Sequence, residues 1–479
     1  MPSNADWLHE ITKWKLEAAD EDSARYFFAV RGTTSLQTGE NHYVLGRKGS
    51  GKTAVAEHIR GFSSRKTYVS TLSFKDFPFN ELYKLADNSY TRPSQYTTIW
   101  KFIVYSAICT MMVKNTRIDT IVRDQISKHI DVDIEHALAK SLLKLTDGGA
   151  GFTILGVGAN ATAKSTISTN DTSLNARTDA LENFILRNID DSSYYILFDE
   201  LDEDYKDVLD VDVSSSYFDL LIGLFKAAQA VKRALGKKHN VMPIIFLRED
   251  IYDLMRDNDK NKWKDSSLTL NWTDGELRKL VAFRLSRALD PASPEIPFDN
   301  LFQRLFTDSE TRAGGRSSKR HVFQYISART LMRPRDFISY LRECAKLAID
   351  EETPKITFEQ LVEANRGYSL RLREEFVDEI QGAIPYINDV FEILSGMRKQ
   401  IFTFREFEQL YNEYIEDMPK DRSIDFNTIC RVMFHYSAIG NQASQRTNLI
   451  FRFRYPESKL NFSESGVIHP GLLRSLQIK

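Results

Sequence analysis

The chain has 479 residues and a formal net charge of −2, with hydrophobic residues at 42% and charged residues at 27%, the balance of a globular protein. At about 150 residues per domain, that length suggests roughly three domains, and the sparse glycine and proline (22 and 13) exclude collagen-like or low-complexity sequence. The near-neutral charge excludes a globally basic nucleic-acid binder, though not a local basic patch.

Cys109, Cys344 and Cys430 lie far apart and form no CxxC pair, which argues against a zinc or redox motif and against a disulfide scaffold. The opening MPSNADWLHEITKWK lacks the apolar run of a signal peptide. A cytoplasmic protein is expected. The first forty residues read as a helical extension (1–40), with Trp7, Leu8, Ile11, Trp14 and Leu16 at roughly helical spacing.

His42 to Leu45 is a short apolar strand running into a glycine-rich turn and then a helix over Thr53 to Arg60. Thr67 to Leu72 reads as a second strand, and residues 94–145 read mostly as helix. Trp100 to Val113 contains Lys101 and is shorter than the ~20 apolar residues of a membrane span, so a buried core helix is expected and no membrane. Gly148 to Thr172 holds five glycines and reads as an inserted β-hairpin or a surface loop.

Ser193 to Phe198 and Val241 to Leu247 have the composition of buried parallel strands, separated by an amphipathic helix over Tyr217 to Leu235. Leu268 to Leu270 supplies a fifth strand. Strands alternating with helices predict an α/β fold, a mostly parallel sheet covered by helices on both faces. Residues 299–375 read as helical without a strong strand. Helices over 385–398, 404–416 and 425–437 then precede an alternating run, Asn448 to Arg454, read as a half-exposed strand. That outline predicts a C-terminal winged helix. The expected domains are a helical extension over 1–40, an α/β core over 41–290 with an insertion around 75–175, a helical lid over 291–380 and a winged-helix-like domain over 381–479.

Gly46-Arg47-Lys48-Gly49-Ser50-Gly51-Lys52-Thr53 fits GxxxxGK[ST] without departure. Glycines let such a loop wrap so that backbone N–H groups face phosphate oxygens, and the helix that begins there, continuing through Ala54, presents its positive dipole end. Lys52 is expected to reach the β- and γ-phosphates and the Thr53 hydroxyl to ligate Mg²⁺. Tyr195-Ile196-Leu197-Phe198-Asp199-Glu200 is the matching acidic strand end, with Asp199 for Mg²⁺ and Glu200 as general base for the attacking water. The acids after it, Asp202 to Asp204, read as a solvated face. An NKxD base-reading element is missing, since Asn261-Lys262-Trp263-Lys264 lacks the acid, so ATP is expected as the nucleotide.

Two sensor positions stand out. Arg248 ends the Val241–Leu247 strand, where a rigid guanidinium fork suits a γ-phosphate; the alternative is that it pairs with Glu249 or Asp250. Arg333 and Arg335 flank Pro334 at the start of a lid helix, and Arg335 is the preferred lid sensor. The stretch 312–335 carries seven basic residues and no acid, readable as a solvated face or as a phosphate or partner contact.

The motifs GRKGSGKT, ILFDELDE, FLRED, LNWTDGELRKLVAFRL and RPRDFISYL, in this order, resemble bacterial STAND-type P-loop ATPases, relatives of the AAA+ class. The resemblance covers about residues 25–375 and more weakly the rest. It implies an ATPase core, a lid and a winged helix that rearrange with nucleotide state, a homo-oligomer, and a switch working with an effector or sensor protein encoded nearby, in anti-phage defence. The chain departs from the pattern in the 146 residues separating Thr53 from Asp199 and in ending without a repeat sensor domain. The competing expectation is a DNA-acting AAA+ ATPase of the initiator or loader kind. Residues 431–479 support it with seven basic residues, among them Arg446, Arg452 and Arg454, against two acids.

Overall fold

The structure is a computed structural model that describes residues 3–74, 82–83, 94–128, 174–205, 211–236, 238–307, 310–312, 319–416, 419, 423–443 and 448–478. The glycine-rich stretch 148–172 and Arg446 lie outside the described residues. Two compact units emerge, Ala29–Lys206 with Asp210–Leu270, and Met1–Phe28 with Asp207–Leu209 and Asn271–Lys479.

The first unit is built on β1 (Tyr43–Gly46), β2 (Thr67–Ser73), β3 (Ser193–Asp199), β4 (Asn240–Arg248) and β5 (Ser267–Thr269), in the order β2-β3-β4-β1-β5. Every neighbouring pair is parallel. Strands β1, β3 and β4 are buried along almost their whole length, which explains why their sequences are continuous apolar runs instead of alternating ones. The helix Thr97–Lys114 is apolar all round and lies in the core of this unit, as its lack of a polar face requires. There Trp100 packs edge-on to Phe198, ring centroids 5.9 Å apart, and its indole N–H donates to the Leu220 carbonyl at 2.9 Å. The described helix Val211–Leu235 starts six residues before the expected Tyr217.

The second unit is mainly helical. Ser3 and Thr273 close capping boxes on the helices Asn4–Lys13 and Asp274–Arg287, and Pro334 occupies the first turn of Pro334–Asp350. Within this unit the N-terminal segment is not a free extension. Trp7, Leu8, Ile11 and Trp14 are buried, and Arg284, 5% exposed, pairs with Glu21 and stacks over the Trp14 and Tyr26 rings at 4.7 and 4.5 Å. The lid region also contains two short strands missing from the helical reading of 299–375: β6 (Glu310–Arg312) and β7 (Lys319–His321) pair antiparallel.

The winged helix consists of the helices Ile387–Gly396, Phe404–Ile415 and Phe426–His435 and an antiparallel sheet. Its strands are β8 (Ile401–Phe402), β9 (Ile439–Gln442), β10 (Leu449–Ile450) and β11 (Ser465–Ile468), in the order β10-β9-β11-β8. The architecture is that of an α/β P-loop NTPase with a helical lid and a C-terminal winged helix. One expectation needs correction. The alternating run Asn448 to Arg454 is a strand only at Leu449–Ile450. Beyond it the chain turns, with the N–H groups of Arg454 and Tyr455 both donating to the Phe451 carbonyl at 3.1 and 3.0 Å. Phe451 and Phe453 both pack on buried His469, at 5.1 and 5.5 Å, so the alternation reflects a shared partner and not a ladder. Arg452 and Arg454 therefore do not project from one face of a ribbon.

Candidate nucleotide-binding site

The strand order sets the site. Strand β1 ends at Gly46, level with Arg248 at the end of central β4, and Ser73 at the end of β2 is level with Asp199 at the end of β3. The carboxyl ends of these parallel strands form the crevice where open α/β sheets bind ligands. The loop after β1 needs its glycines for conformation. Gly49 and Gly51 have φ of 76° and 101°, a region that side-chain-bearing residues rarely adopt, and Gly51 caps the helix Lys52–Arg60.

Lys52 folds back over this loop, its ammonium donating to the Gly46 and Arg47 carbonyls at 3.1 and 3.3 Å. Burial pushes its pKa down, opposed by the charges of Asp202, Asp199 and Asp250, with Arg248 adding to the depression. Asp199 is 6% exposed, accepts from the Glu200 N–H at 3.0 Å and is hydrogen-bonded by the Thr53 side chain. Burial raises its pKa to about 6, against the lowering effects of these hydrogen bonds and of Lys52. A carboxylate this buried and this incompletely compensated suits a divalent cation.

The residues present fit a magnesium nucleotide. The wrapped loop Gly46 to Thr53 and the start of the following helix at Ala54 would hold the phosphates, and Thr53 and Asp199 would hold the cation, which would supply charge neutralisation on the phosphate oxygens.

Glu200 adopts φ 59°, a left-handed conformation uncommon outside glycine, and its carboxylate accepts from the Ser73 hydroxyl. Arg248 forms a fork on Asp250, Nε to Oδ1 at 3.1 Å and Nη2 to Oδ2 at 2.7 Å, with Asp202 at 3.6 Å and the Tyr205 ring 5.8 Å away. The alternative reading, pairing with Asp250, is thus present, within a site that also contains the phosphate loop. Asp202, read from sequence as part of a solvated face, instead takes part in the site's electrostatics. Ser73 does not stand out as a site residue in local sequence, because only strand register brings it opposite Asp199. A polar residue ending a strand that neighbours the acidic strand was the available signal for Ser73.

In the second unit, Arg333 is 2% exposed and bound to Asp336 at 2.7 Å, Glu375 at 2.7 Å and Glu379 at 3.7 Å. Burial alone would depress its pKa, but these three carboxylates raise it well above the ordinary value. Arg333 is a structural clamp within the lid. Arg335 pairs with exposed Glu17 at 3.0 Å, and Arg329 stacks over Tyr325 at 3.5 Å. The run 312–335 is therefore not one solvated basic face.

Residues 275–377 match the family described as the FunZ-associated C-terminal helical domain. The chain is similar to the putative transposon gamma-delta 80.3 kDa protein of Escherichia coli (strain K12), 22% identical over 467 residues, with 91% of this chain and 62% of that protein covered. The chain thus spans about three fifths of that relative's length. Among solved structures, it is similar to the Aeropyrum pernix ORC1 protein in complex with DNA, at 12% identity and a TM-score of 0.41, covering 97% of this chain and 96% of that one. The Aeropyrum pernix ORC2 protein, as ADPNP–ADP complexes, is similar at 12% identity and a TM-score of 0.40, covering 92% and 88%. These likenesses are remote, and the fold assignment rests on the strand order and the phosphate loop.

Proposed function

We propose that the chain is an AAA+-type ATPase that binds Mg²⁺·ATP at the ends of β1, β3 and β4 and hydrolyses it. The observation that carries this reading is the meeting of Lys52, Thr53 and Asp199, a buried cation, a hydroxyl and a buried carboxylate, around a loop held open by glycines at positive φ. Lys52 binds the β- and γ-phosphates in place of the two carbonyls it now contacts. Glu200 takes a proton from the attacking water at its carboxylate. Arg248 reads the terminal phosphate by exchanging Asp250 for phosphate oxygens. Replacing Lys52 with Ala removes a charge-assisted contact worth about 1.5–3 kcal/mol, so ATP affinity should fall by roughly 10- to 100-fold. Unchanged affinity in an equilibrium titration of Lys52→Ala would overturn the assignment.

The better supported reading of what the ATPase acts on is DNA, through the winged helix. The relative's name places that protein in a transposon. No Asp or Glu occurs from Phe426 to Pro456. On the helix Phe426–His435, Ile429, Cys430 and Met433 are buried while Asn427 and Arg431 are exposed, four residues apart on one face. Phosphate neutralisation makes such binding fall steeply with salt. Arg431→Ala should reduce the salt slope of duplex binding by about one unit. A flat salt dependence would remove this reading.

The second reading is the oligomeric switch with a partner protein, its defence role included. It is favoured by the continuous core that lid and winged helix share within the second unit, which would let the two move as one body with nucleotide state. The same Arg431→Ala change would then leave any duplex binding unaltered.

A further inference from the structure

A cavity of about 290 Å³ lies in the first unit at the end of the sheet opposite the phosphate loop. His42, directly before β1, and Ser266, directly before β5, line one side, and the His42 N–H donates to the Ser266 carbonyl at 2.9 Å. Lys232 and Arg233, in the last turn of the helix Val211–Leu235, line the other, with Lys262 and Asp259 at the rim. Four residue steps along β1 separate His42 from Gly46, roughly 13 Å at strand rise. The two places are therefore distinct.

The charge of the lining is one-sided, with Lys232, Arg233 and Lys262 against Asp259. The Lys232 ammonium donates to the Gly39 carbonyl at 2.9 Å and meets His42 Nε2. An ammonium offers only donors, so Nε2 is the acceptor and the ring proton sits on Nδ1. The His42 residue is 5% exposed, and Nδ1 has no hydrogen-bond partner among the described residues. Asp259 is the lining's one acid, and Lys262 neutralises it at 2.6 Å. The Arg233 charge also helps hold the Asp259 carboxyl below its usual range, so three cations of the lining, Lys232, Arg233 and Lys262, share this one carboxylate. Burial lowers the pKa of Lys232, so the lining as it stands undercompensates that charge. This excess of positive charge lines a space of about 290 Å³.

We propose that this cavity is a second binding site, for a small organic oxyanion bearing a carboxylate or phosphate headgroup. The headgroup sits between the Arg233 fork, which suits planar bidentate oxygens, and the Lys232 ammonium. Tyr43, Ala228 and Gln229 complete the wall against which the body of the ligand lies.

Equilibrium titrations of the full chain with inorganic phosphate and, separately, with malonate test the proposal and distinguish the two headgroups. At least one of the two should bind saturably. Arg233→Ala, a change at an exposed side chain, should weaken that binding by about tenfold or more, and Arg233→Lys should restore part of it. The same component should persist in a Lys52→Ala chain, which separates it from anion binding at the phosphate loop. Absence of saturable binding by either anion, binding indifferent to Arg233→Ala, or binding abolished by Lys52→Ala alone would each overturn the site. Lost nucleotide binding in Lys52→Ala with this component retained would leave both readings standing. Retained nucleotide binding would sink only the ATPase assignment.

Discussion

Ser73 and Glu200 meet across the ends of neighbouring strands: the Ser73 hydroxyl donates to the Glu200 carboxylate, and the register that sets Ser73 opposite Asp199 brings them together. A carboxylate holding that hydrogen bond is stabilised as an acceptor and turned away from other partners. Ser73→Ala should therefore raise basal hydrolysis severalfold with little change in KM. Steady-state phosphate release measures this, and a fall in kcat would instead make Ser73 a residue that positions Glu200 productively.

Glu200→Gln keeps the shape of the side chain and removes its basicity. Loss of general-base catalysis typically costs 10²–10⁴-fold. Hydrolysis should drop by about that factor while ATP stays bound. Wild-type turnover in this variant would assign the base elsewhere.

Arg248 is held by Asp250 through two hydrogen bonds, so a terminal phosphate must compete with a carboxylate for the same fork. Asp250→Ala should free Arg248 and improve ATP affinity relative to ADP. Arg248→Ala should lower ATP affinity more than ADP affinity. Paired titrations with both nucleotides decide the matter: equal losses for ATP and ADP would reduce Arg248 to a structural ion-pair residue.

Asp199 carries a pH signature. Its folded pKa of about 6 lies above the ordinary 3.8, so the folded chain binds the extra proton between these values. The sign follows from linkage: stability falls as pH rises through this window, and the cost is fully present above about pH 6. A shift of about two units corresponds to roughly 3 kcal/mol. Asp199→Asn should accordingly raise the thermal midpoint of the nucleotide-free chain at pH 7.5 and have little effect at pH 4. It should also weaken the Mg²⁺-dependent part of nucleotide binding. An unchanged midpoint at pH 7.5 would show that Asp199 is solvated in the folded chain.

The sequence alone determined the five-stranded sheet and where the phosphate loop sits, because both are written in contiguous residues. Buried parallel strands such as Tyr194 to Phe198 must be apolar throughout, and a loop that wraps a phosphate must have glycines at Gly49 and Gly51. The three helices of the winged helix were legible for the same reason, each having a periodic face and, at Thr403 and Asp425, a capping side chain. Only the tertiary structure decided the rest. Strand register joins Ser73 to Glu200 and sets Arg248 level with Gly46, and it leaves no trace in either local sequence. Arg333 looked as available as Arg335 in RPRD, yet long-range packing buries it among Asp336, Glu375 and Glu379. The aromatic alternation after Ile450 mimicked a strand because Phe451 and Phe453 share His469, a partner 16 to 18 residues away in sequence. Periodicity records which side chains are buried. It does not record what they are buried against, and that is what separates a clamp from a sensor and a turn from a ladder.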